Sequence, residues 1–253
     1  MKRVIMAAAA ILFLATVPDA NEAGVVITRQ RCSGSDGKTL WESTVTTAPV
    51  KGEPGAYIIT EEGKGRYYGF EGETSCRSET KYTGGNEGIR PAWLKRTVLS
   101  LSGKTLLEET QDYGTGKDEV RCTVKDFAKG SEKSRSFKYK GGMINKMLTG
   151  ATVRSMLEAG EKQRTVNIVN DEPAVYSITI RVEGREKITV NGRETDAFKV
   201  CIDPNIGLLS PVKAFIPKNY SWYSCEPPYR WLKFKGLEAS ISSPVVEMTA
   251  LDN

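Results

Sequence analysis

The chain has 253 residues, of which 39% are hydrophobic and 26% charged, and it contains five cysteines and no histidine. Its formal net charge is +5, falling to +4 once Lys2, Arg3 and Asp19 leave with a leader, and the signs are interleaved, as in Glu61, Glu62, Lys64 and Arg66. Mixed charge of this kind is solvated surface and excludes the concentrated basic face of a nucleic-acid binder. Without histidine the commonest general base and zinc ligand are missing.

The first segment reads as a targeting peptide. Lys2 and Arg3 precede an apolar run over residues 4–17, and small residues follow at Ala20 and Ala23. The run falls short of the roughly 20 apolar residues of a spanning helix and fits a secretory signal, cleaved near Ala20 or Ala23. The pattern predicts export to the periplasm. Residues 24–253 are expected to form a single β-rich domain without a transmembrane span.

Short runs of alternating polar and apolar residues then succeed one another: 24–32, 40–47, 56–60, 66–70, 73–82, 93–101, 105–113, 119–127 and 134–139. Gly, Asn, Asp or Pro bounds each, the punctuation of antiparallel strands wet on one face and packed on the other. Residues 143–159 break the pattern. Ile144, Met147, Leu148 and Ala151 recur at helical spacing, and Val153, Met156 and Leu157 continue on a shifted face. The reading is a short helical insert, split into two at Thr149-Gly150 and stopped at Gly160. Strands resume at 164–169, 175–182, 186–190, 195–202, 213–216, 219–225, 230–235 and 245–250, and Asn191-Gly192 signals a type I′ hairpin.

An exported chain can keep disulfides. Cys201 and Cys225 lie in two strand-like runs that a broad hairpin near Lys213 would set opposite one another, a bridge worth roughly 2–4 kcal/mol. Cys32, Cys76 and Cys122 allow one further bridge, Cys32 with Cys76, and a spare thiol, or fewer bridges. No C-x-x-C is present, so no metal site is expected.

From the insert onward the sequence resembles a group of uncharacterised exported bacterial proteins, the domain-of-unknown-function 3108 family. The resemblance rests on Tyr176-x-Ile178-x-Ile180-x-Val182-x-Gly184-Arg185-Glu186-Lys187-Ile188-Thr189-Val190, on Gly192 and Asp196-Ala197-Phe198-Lys199-Val200, and on Tyr220-Ser221-Trp222-Tyr223-Ser224 followed by Pro227-Pro228-Tyr229-Arg230-Trp231-Leu232-Lys233-Phe234. The chain departs from it at Asn191-Gly192, where members carry a Pro-Ala-Gly-like turn, and in its paired cysteines. The resemblance implies an envelope location and a curved antiparallel sheet like the half-open barrels of lipoprotein and lipid carriers. It supplies no catalytic residues.

Aromatics crowd between positions 215 and 234: Phe215, Tyr220, Trp222, Tyr223, Tyr229, Trp231 and Phe234, with Tyr220 and Trp222 on one strand face and Tyr223 on the other. They suit either an apolar pocket or a barrel core. Met143, Met147 and Met156 suit a lid over an irregular apolar ligand, or a plug in an incomplete barrel. The adjacent carboxylates Glu108-Glu109, Asp118-Glu119 and Asp171-Glu172 point to opposite faces of a strand, and no nucleophile, phosphate-loop or calcium-loop motif is present.

The expected fold is therefore all-β, a curved antiparallel sheet or open barrel with a short helical insert. The expected function is non-catalytic: a soluble periplasmic protein, without cofactor, binding a lipid-like or acylated apolar partner in the concave face. Trp222, Trp231, Tyr220, Phe234, Met147 and Met156 are the lining residues, with Trp222 mattering more than Trp41. A structural or assembly component that presents sheet edges to another envelope protein is the alternative, and a carboxylate-dependent hydrolase a third.

Overall fold

Strands with one inward and one outward side chain per step follow one another along the sequence with little between them but turns. The computed structural model describes residues 24–85, 88–114, 118–205, 216–240 and 242–251; the expected leader, Phe215 and most of the strand expected at 213–216 lie outside them. Eight strands precede the insert: β1 (Val26–Ser33), β2 (Thr39–Pro49), β3 (Ala56–Gly65), β4 (Thr74–Gly85), β5 (Gly88–Ser100), β6 (Thr105–Asp112), β7 (Glu119–Asp126) and β8 (Ser131–Lys138). Seven accompany or follow it: β9 (Met143–Asn145), β10 (Gln163–Val169), β11 (Val175–Val190), β12 (Arg193–Pro204), β13 (Asn219–Ser224), β14 (Trp231–Leu237) and β15 (Val245–Ala250).

Among the described residues these strands form one sheet, ordered β8-β7-β6-β5-β4-β3-β2-β1-β15-β14-β13-β12-β11-β10-β9. Each half is a meander of antiparallel neighbours, and the two halves join where β1 pairs with β15, Gln30 opposite Ala250. The short β9 alone runs parallel to its neighbour β10. The sheet rolls on itself. Its two ends meet through side chains: Gln111 Nε2 donates to the Val169 carbonyl at 3.2 Å, and Met143 and Val169 pack with Tyr113, Val120, Cys122 and Val124.

The insert lies inside the roll. A 3-10 turn (Lys146–Leu148) leads into one helix, α1 (Thr149–Glu158), so the expected division into two helices gives way to a turn and a helix. Within α1 Thr152 Oγ1 donates back to the Leu148 carbonyl at 2.9 Å. Gly160, at φ 67, ends it. Residues 149–154, Met156 and Leu157 are all buried, which is why the apolar periodicity shifts face along the segment: sheet surrounds it.

Two other expectations change. Residues 66–70 do not form a strand; the loop turns inward, and Tyr67 stacks on Trp41 with centroids 5.0 Å apart. Residues 175–182 and 186–190 belong to a single strand, β11, with a bulge between Val182 and Gly184. The I′ turn is as expected, with Asn191 at φ 49 and Gly192 at φ 77.

All five cysteines are free, which corrects the Cys201–Cys225 pairing. Register is the reason. β12 and β13 do pair, but Cys201 lies opposite Tyr220 and Ala197 opposite Ser224. Cys225 is therefore displaced by about five residues, roughly 17 Å along the strands, far beyond disulfide reach. Cys32 and Cys76 sit on strands separated by two others, about 14 Å across the sheet.

Candidate functional site

The six expected lining residues do not form one site. Met147 and Met156 are 0% exposed and Trp231 and Phe234 1% exposed, all in the principal core around α1. They face one another across the rolled sheet and fill it. Tyr220 and Trp222 lie on the other face of β13, in a separate cluster with Val190, Ala197 and Leu232. This outer cluster is covered by the long β11–β12 hairpin, whose tip reaches the end of β15: Asn191 Nδ2 donates to the Ala250 carbonyl at 2.8 Å. Trp222 Nε1 donates to Glu186 Oε1 at 2.7 Å, and the Lys199 ammonium sits 4.6 Å from the Tyr220 ring centroid. Trp41 faces inward, in the principal core, and Trp222 outward, so the residue expected to line the concave face does not lie on it. Alternation separated the two faces of β13 correctly but did not say which was concave.

Buried polar and charged groups accompany the apolar core. On β1, β2 and β3 the inward residues Gln30, Ser43 and Glu61 meet: Ser43 Oγ donates to Glu61 Oε1 at 2.7 Å and Gln30 Nε2 to the same oxygen at 3.0 Å. Glu61 is 3% exposed, and its second oxygen has no hydrogen-bond partner; neither has Gln30 Oε1. Burial pushes the Glu61 pKa up to about 7, against the hydrogen bonds from Ser43 and Gln30 and the charges of Arg96 and Lys146.

A second cluster ties the insert to the sheet. Lys146 Nζ lies 3.4 Å from Glu109 Oε2 and 3.6 Å from Asp171 Oδ2, and Arg96 Nη1 lies 3.8 and 3.3 Å from the same two oxygens. Gln111 Nε2 donates to Glu109 Oε1 at 2.8 Å and Tyr113 OH to Gln111 Oε1 at 2.7 Å. Burial favours the neutral Asp171 carboxyl, yet Lys146 and Arg96 hold its pKa below the ordinary carboxylate value. One further link crosses the interior, Asn145 Nδ2 to Thr80 Oγ1 at 2.9 Å. A carboxylate of β6, Glu109, and one of the β10–β11 turn, Asp171, do converge here, unlike the adjacent pairs of the sequence, but they are clamped between two cations inside the protein. This cluster fixes the insert; among groups so enclosed, removing one charge is far costlier than replacing the set.

The sequence signal for these groups is a lone polar residue on an apolar stripe. Arg96 stands between Leu94 and Val98 at two-residue spacing, and Glu61 follows Ile59 in the same way. Such positions face the core whatever their polarity.

Outside, a cleft of about 370 Å³ is lined by Arg29, Glu42, Thr44, Glu62, Lys64, Leu251 and the strand positions beneath them. It is mixed in charge and lacks the apolar walls of a lipid site. Among the described residues no three His, Cys, Asp or Glu side chains are grouped to hold a metal ion, and no helix is long and apolar enough to cross a membrane. At the end of the sheet, β8 is exposed on both faces from Ser131 to Ser136, and no described strand pairs with its outer side.

No protein-family model matches the chain, and no curated protein matches it. The family named from the sequence resemblance is therefore not found, but the fold has solved counterparts. A β-barrel-like protein of domain-of-unknown-function 1849 from Brucella abortus aligns with a TM-score of 0.52 at 11% identity, over 90% of this chain and 98% of that one. A protein from Bacteroides fragilis described as exported and YmcC-like in fold aligns with a TM-score of 0.36 at 9% identity, over 95% and 97% of the chains. The hypothetical lipoprotein YmcC of Escherichia coli aligns with a TM-score of 0.33 at 10% identity, over 89% and 84%. The Brucella protein shows the same fold, an uncharacterised β-rich architecture.

Proposed function

We propose that this is an exported, non-catalytic protein of the periplasm that acts through its outer surface on another protein of the envelope, not by carrying an apolar guest. One observation carries the reading: the concave side of the sheet is occupied by the protein's own insert, with Met147 and Met156 at 0% exposure. A carrier needs exchangeable apolar volume, and here the insert's own buried side chains occupy the concave side. The leader pattern of residues 1–23 supports export. The enclosure of Glu109 and Asp171 by Lys146 and Arg96 supports a structural rather than a hydrolytic role, since a pair working on a glycosidic bond flanks an open groove.

Extraction of the purified, leader-processed protein with organic solvent, followed by mass spectrometry, tests this. The expected result is no stoichiometric lipid. One equivalent of lipid, lost in Trp231→Ala, would return the carrier reading.

A further inference from the structure

The two ends of the sheet are finished differently. β9 is three residues long and buried throughout, so its edge is shielded. β8 is eight residues long, and every residue but Phe137 is exposed. Among the described residues only β7 pairs with it, Val120 opposite Phe137 and Thr123 opposite Ser134. The direction of its amides follows from one hydrogen bond. Tyr139 N donates to the Asp118 carbonyl at 2.8 Å, so in an antiparallel ladder the amides of Phe137, Arg135 and Lys133 also face β7. The amides and carbonyls of Glu132, Ser134, Ser136 and Lys138 therefore point away from the sheet.

The side chains say what such an edge accepts. Lys133, Arg135 and Phe137 pair with Val124, Cys122 and Val120 and so share one face, with the Arg135 guanidinium 5.8 Å from the Phe137 ring centroid. Arg135 also reaches the Pro173 carbonyl at 3.4 Å, which holds it along the strand. Three cations and one anion stand on β8, so two copies placed edge to edge meet with like net charge. The complement is a strand with acidic side chains at two alternate positions and an apolar one at the next. Cross-strand pairs of this kind add to the main-chain hydrogen bonds that give strand addition its affinity.

We infer that β8 is a docking edge for an extended acidic segment of another envelope protein, which adds to the sheet as a further strand. The inference rests on the outer-surface reading, and the two fail separately: stoichiometric lipid overturns that reading, whereas the edge is judged by peptide binding alone.

The test uses a labelled, end-capped peptide of sequence Thr-Glu-Thr-Glu-Thr-Val-Thr and its counterpart with lysine for glutamate, titrated against the whole mature protein by fluorescence anisotropy at low salt. The acidic peptide is expected to bind at least tenfold tighter, with the Ser134 and Ser136 amides slowing in hydrogen exchange. Ser136→Pro removes one outward amide without touching the β7 ladder and is expected to weaken binding at least tenfold at an unchanged melting temperature. If that variant does not fold, the double variant Lys133→Glu/Arg135→Glu serves, and its preference is expected to switch to the lysine peptide. Equal binding of both peptides, or acidic binding indifferent to these variants, overturns the inference. So does a homodimer in native mass spectrometry that Ser136→Pro dissolves, which would assign the edge to a second copy.

Discussion

Truncating Met147 to alanine separates a plug from a pocket wall. Met147 is fully buried beside Met156, Ile144 and Leu148 in the principal core. Removing its thioether arm forfeits about 1.5–3 kcal/mol of apolar transfer, and each Å³ of void that does not collapse adds about 24 cal/mol. A total near 3 kcal/mol is expected, lowering the melting temperature by roughly 6–12 °C for a domain of this size. If Met147 lined an existing hollow, no new void would form and the change would stay within about 0.5–1 kcal/mol. Urea unfolding followed by tryptophan fluorescence, with the m-value checked for constancy, reads the difference. A Met147→Ala protein within 0.5 kcal/mol of the parent would refute the packed interior.

Three further outcomes follow from the interior. Lys146→Ala leaves Glu109 and Asp171 with one cation between them and should cost about 3–5 kcal/mol in urea unfolding, whereas a change under 1 kcal/mol would show that the cluster is solvated. Glu61 has a folded pKa of about 7 against an ordinary 4.5, so the folded state holds the extra proton between these values. Its contribution to stability is complete below 4.5 and is lost as pH rises through 7, by up to about 3 kcal/mol, and Glu61→Gln should flatten that slope in thermal melts. A slope unchanged by the substitution would remove Glu61 as its source. At Gly63 a Cβ would collide with the Tyr67 hydroxyl and crowd Ser43, so Gly63→Ala should destabilise and perturb the near-ultraviolet signal of the Trp41–Tyr67 stack. Adding Tyr67→Phe should recover part of the loss; strict additivity of the two would contradict the contact.

Strand positions, the helical insert, the Gly160 stop and the I′ turn were legible because each depends on local chemistry: alternation, helical spacing and positive φ. What the sheet encloses depends on rolling and register, which local patterns do not encode. Alternation says that Trp222 and Tyr223 point to opposite faces, but both faces of β13 are buried, one under the β11–β12 hairpin and one around α1. Apolar density therefore could not mark the concave side. The cysteine pairing failed for a similar reason: the hairpin was foreseen, its register was not, and Cys201 stands opposite Tyr220. The polar interior escaped because Glu61, Arg96, Glu109 and Lys146 resemble ordinary surface charges until strands distant in sequence bring them together. Residues 66–70 stand among the runs read as strands, yet Tyr67 serves as an inward side chain on a loop.

Amide hydrogen exchange of α1 in the intact protein addresses the filled barrel most directly. A plug can expose its backbone only when the surrounding sheet opens, so the amides of Val153, Met156 and Leu157 should exchange with the full free energy of global unfolding, alongside those of Val200 and Val246. Exchange of the helix by a cheaper local opening, with the strands still protected, would mean a lid over a cavity and would contradict the filled interior.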